Sequence, residues 1–96
     1  AEGAATGEWR EYGEAELPRD KAGLLALWDQ DTAKLNELWA KVTPARLQEE
    51  DVAFGQWPGT VLSLVQYAID NEIHHRAQGY VYLRALGVEP PPFWER

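Results

Sequence analysis

TVLSLVQYAIDNEIHHRAQGYVYLRAL, residues 60–86, decides the fold. No proline or turn signal interrupts it, and its apolar residues recur at spacings of three and four, the period of an α-helix rather than a strand. Turned through about 100° per residue, Val61, Leu64, Val65, Ala68, Ile69, Tyr82, Leu83 and Leu86 share one broad face. Thr60 suits the N-cap. Gly87 suits the position just past the end, with Val88 to supply the accompanying apolar contact, and Pro90-Pro91-Pro92 prevents continuation. The middle of the apolar face is polar. Glu72 and His75 sit on it, Asn71 and Arg76 stand at its two sides, and Gly79 leaves space one turn past His75. His74 falls with Asp70 and Arg84 on the outer face.

Upstream, a second helical period runs over 20–42. Asp20 follows Pro18 as a suitable N-cap, and Leu24, Trp28, Leu35, Leu38 and Val42 form the stripe. Asp31 lies on the same stripe, an unexpected place for a carboxylate. Residues 43–59 connect the two helices. Thr43-Pro44 can open a short turn of helix through Leu47, Glu49, Glu50 and Asp51 read as a solvated acidic cluster, and Phe54-Gly55-Gln56-Trp57-Pro58-Gly59 is strong turn punctuation. The connection exceeds the usual length between paired helices, so it has room for short structure of its own or for part of a site. Residues 1–19 read as a leading loop in which Ala1 to Ala5 could be a frayed helix end and Trp9 and Tyr12 anchor against the core. Residues 87–96 are a proline and aromatic tail whose Phe93-Trp94 is expected to pack back on the helices. The class is all-α, helix packed on helix, in a single domain spanning 1–96.

Composition narrows the functions open to the chain. With 96 residues, 45% apolar content and 26% charge it is an ordinary small globular domain rather than a disordered one. It has no cysteine, which excludes disulfides and thiolate metal sites. No apolar run approaches the roughly 20 residues of a membrane span, and no signal peptide opens the chain, so a cytoplasmic location is expected and membrane partners are not. It opens at Ala1 and holds no methionine, which suits a processed chain or a portion of a longer one. The net charge is −7, and it is uneven: residues 1–51 carry 12 acidic and 6 basic side chains, residues 52–96 carry 4 and 3. An acidic surface repels phosphate backbones, so nucleic acid is not an expected partner.

The polar groups in the apolar face are where chemistry could sit. Buried without partners, each would cost on the order of 1–3 kcal/mol, and charges more. If the two long helices pack antiparallel, Asp31 meets Glu72 and His75 at the same level. Helical bundles place metal and ligand sites in such layers, often with a Glu-x-x-His pair, the spacing of Glu72 and His75. A plain structural reading stands beside this one: Glu72 can pair with Arg76 at i,i+4, and Asp31 or Asn71 can satisfy His75. His74 reads as a surface histidine, and Tyr67, Tyr80 and Tyr82 as packing residues.

Asp70-Asn71-Glu72-Ile73-His74-His75-Arg76-Ala77-Gln78, followed by Tyr80 through Leu86, Gly87 and the prolines, resembles the last helix of DinB/YfiT-like proteins. That helix typically reads His-x-x-His-His-Arg-Gly-Gln, then Tyr-Leu-Arg, then glycine and proline. Gly7-Glu8-Trp9 is similar to the segment after the family's second helix. The match is specific over roughly 69–93 and diffuse elsewhere. The resemblance implies an up-down-down-up four-helix bundle, commonly dimeric, with a divalent metal held by three histidines, two of them at i and i+4 on the last helix. Here His75 stands at i+4 and Asn71 at i, Ala77 replaces the usual glycine, and the second-helix ligand would fall before Ala1.

The resemblance thus implies a metal site of His75 and Asn71 for Zn, Ni, Mn or Fe, with Glu72 as orienter or base, Asp31 as a second partner, and a small-molecule thiol as substrate of a transferase. The reading from a different class is a non-catalytic binding or assembly module in which Glu72, Arg76, Asn71 and His75 close a polar network. Two helices with wide apolar stripes cannot cover each other on all sides. The bundle is therefore expected to be completed by further helices or by a homodimer, with a dimer the smallest folded unit of this chain.

Overall fold

The structure, a computed structural model, describes residues 1–11, 13 and 17–95. In chain order it contains α1 (Glu2–Thr6), α2 (Lys21–Trp39), α3 (Pro44–Leu47), β1 (Glu50–Ala53), β2 (Trp57–Thr60) and α4 (Val61–Ala85). The described chain is largely helical, as the periodicity predicts. It divides into two compact units, Ala1–Val65 and Gln66–Arg96; α4 begins in the first and makes up most of the second.

Local chemistry accounts for the ends of the elements. Asp20 caps α2 by accepting from the Gly23 N–H at 3.1 Å. The helix stops at Trp39, three residues short of the expected Val42. Thr43 precedes a proline and is extended (φ −89°, ψ 157°), and Lys41 and Val42 instead close i to i−3 bonds on Leu38 and Trp39. Thr43 then caps α3 through the Arg46 N–H, the short turn expected there. Thr60 accepts from the Ser63 N–H at 3.2 Å and starts α4. At its other end Gly87 is left-handed (φ 73°), with its own N–H bonded to Arg84 O and that of Val88 to Leu83 O, the paired closure expected of a glycine after a helix.

The connection holds more than turns. β1 and β2 form an antiparallel hairpin in the register Glu50↔Thr60, Asp51↔Gly59, Val52↔Pro58 and Ala53↔Trp57. Phe54 and Gly55 both have positive φ (54° and 68°), and Gln56 N–H reaches Ala53 O at 3.0 Å. Two left-handed central residues match the twist of a hairpin, and glycine accepts that conformation readily. Phenylalanine does not, and here its ring lies edge-on to Trp9, with centroids 5.8 Å apart.

The first unit is drawn together by this hairpin and α1. Its buried apolar residues come from four elements: Ala4 on α1, Leu38 on α2, Ala53 on β1 and Val61 at the start of α4. α1 is thus a packed helix rather than a frayed end. Gly3 lies directly under the Trp9 indole, where a Cβ would overlap the ring. Trp9 anchors the leading segment as expected, whereas Tyr12, its expected companion, lies outside the described residues. In the second unit Pro90 is buried, while the Phe93 and Trp94 rings meet edge-on with centroids 5.0 Å apart and remain exposed instead of packing back.

Candidate functional site

Of the residues singled out from the sequence, Asn71, Glu72, His74 and His75 belong to the second unit and Asp31 to the first. On α4, Glu72 Oε1 pairs with Arg76 Nε at 3.5 Å across one helical turn, the i,i+4 partner available to it. His75 Nδ1 lies 2.8 Å from Gln78 Oε1. A carbonyl oxygen can only accept, so in this contact Nδ1 donates. The His74 ring meets that of His75 edge-on, with centroids 5.1 Å apart. Asn71 is exposed and has no side-chain hydrogen bond among the described residues.

The helical phase assigned His75 to an interior and His74 to solvent. Both are exposed in the single chain. In the second unit α4 has only the short tail beyond Ala85 beside it, too little apolar surface to cover a helix face. The less exposed positions of α4, among them Arg76, Gly79, Tyr80 and Leu83, still follow one side of the helix. Glu72 keeps about half of its side chain in water, so its pairing with Arg76 belongs to the screened, low-energy class.

Asp31 lies in a groove of the first unit lined by Leu24, Leu27, Trp28, Leu35 and Leu38 and flanked by the Lys34–Glu2 ion pair at 3.1 Å. Its carboxylate has no hydrogen bond or ion pair among the described residues. Asp31 is itself exposed, and Ala1 and Thr32 line the same groove beside the apolar side chains, so its carboxylate stays in water.

A divalent ion of the kind implied by the sequence needs three or four donors. His75 offers one nitrogen and Asn71 a weak neutral oxygen. Among the described residues, no group of three or more His, Asp or Glu could hold a metal ion. His75 and Asn71 on their own supply fewer donors than such an ion needs.

The most connected polar cluster lies elsewhere, and the sequence reading passed over it. Arg46 donates from Nε to Ala4 O at 3.1 Å, from Nη1 to Glu49 at 2.8 Å, and from Nη2 to Gly3 O at 3.3 Å and to Asp51. The acidic cluster is therefore not simply solvated, since two of its three members hold this guanidinium. Arg46 is pushed above its ordinary value by Glu49 first and Asp51 second. Arg46 and then the Val52 N–H hold the Asp51 carboxyl below the usual carboxylate range. The Trp9 indole N–H adds to that effect electrostatically, although its buried Nε1 has no partner in hydrogen-bonding geometry. With one guanidinium shared between two carboxylates and two carbonyls of α1, the cluster is a structural tie that joins α1, α3 and the hairpin. The i,i+3 spacing of Arg46 and Glu49 was the available signal for it.

Among comparisons with known proteins, a model of the DinB family matches residues 3–96, and no curated protein and no solved structure matches the chain.

Proposed function

The chain belongs to the DinB family, and we propose that within it this chain works as a helical assembly module whose long helices are completed by a second copy. One observation carries this reading: large apolar side chains of both long helices are exposed, Trp28 at 69% on α2 and Tyr82 at 69% on α4, with Leu24 and Leu35 on α2 and Leu86, just past the end of α4, alongside them. Burying a large apolar side chain is worth about 1.5–3 kcal/mol. Five such residues left in water forgo an amount comparable to the roughly 5–15 kcal/mol that stabilises a whole domain. The polar groups of α4 fit a module of this kind, since Glu72 with Arg76 and His75 with Gln78 are partnered locally and need no ligand. Light scattering across a dilution series tests the reading. A homodimer is expected down to low micromolar concentration, and a compact monomer that melts cooperatively there would refute it.

A second reading rests on the orientation of His75. Histidines that bind metals donate their other ring N–H to an oxygen, as Nδ1 does here to Gln78. On this reading His75, with Asn71 beside it, belongs to a divalent-metal site whose remaining donors come from outside the single chain, Glu72 and Asp31 act beside it, and the protein is a thiol-dependent transferase. Elemental analysis of protein purified without an affinity tag separates the two readings. Stoichiometric zinc, nickel, manganese or iron that is lost in His75→Ala supports the second, and metal-free protein that still assembles supports the first.

A further inference from the structure

We draw no further inference here: the strongest candidate, the apolar groove along α2 in the first unit, lined by Leu24, Leu27, Trp28, Leu35 and Leu38 beside Asp31, carries nothing because nothing in the structure shows what covers it.

Discussion

Arg46 and Gly3 hold the first unit through contacts of different kinds. Arg46 gathers two backbone carbonyls and two carboxylates with a side chain that is only 21% exposed. Arg46→Ala should therefore lower the melting temperature more than Lys41→Ala, whose single bond to Glu37 lies in water. Thermal denaturation of the two variants at neutral pH is the comparison, and equal small shifts would deny the tie. The same cluster sets an acid limit. The Asp51 carboxyl is held below its ordinary 3.8 when folded. It therefore contributes stability that is present above that value and is lost as pH falls through the lower folded one. Asp51→Asn should flatten the loss of stability below pH 3.8 and lower stability at pH 7. Gly3→Ala would push a Cβ into the Trp9 indole, and about 1–3 kcal/mol of destabilisation is expected from such overpacking. The bonds from Arg46 to Ala4 and Gly3 were not legible in the sequence, because those residues lie 42 and 43 positions away and no periodicity links them; only the i,i+3 spacing of Arg46 and Glu49 was a local signal. Glu72 with Arg76 was legible, because helical spacing alone brings them together.

At the scale of elements, legibility followed the strength of local signals. The caps Asp20, Thr43 and Thr60 and the glycine closure at Gly87 were readable because each is a short-range rule with a distinctive residue. The hairpin was not, because its turn carries phenylalanine where asparagine or aspartate is usual and its second strand holds Pro58 and Gly59, both poor strand formers. Phe54 is tolerated there through its contact with Trp9. Gly79 gives the sharpest test at this scale. In a helix lying open to water, Gly79→Ala should stabilise by about 0.5–1 kcal/mol. In a seam that a second copy covers, the added methyl should weaken dimerisation despite the better helix former. Measuring helix stability and dimer affinity together on this variant decides it, and a gain in both would mean that no second copy covers Gly79.

For the whole molecule, the broad fold class and the family were readable from one helix because its length and motif are specific. Its surroundings were not, because an apolar stripe says that something covers a face without saying what. The acidity still constrains partners: −7 on 96 residues opposes phosphate backbones, so duplex binding at physiological salt should be undetectable at micromolar protein, as a fluorescence anisotropy titration would record. Assembly makes a prediction of its own about heat. If unfolding a dimer releases two chains, mass action ties the transition to concentration, and each tenfold increase in protein adds about 1.4 kcal/mol to the dimer. For a folded unit of two such chains, one kcal/mol moves the midpoint by about 2–4 °C. The melting temperature should therefore climb by roughly 3–5 °C per decade of concentration. For a monomer the same series is flat, since no species changes its count on unfolding. Scanning calorimetry from about 5 to 500 μM covers two decades, and a midpoint that stays fixed across them would mean that α2 and α4 carry their apolar faces into water unaided.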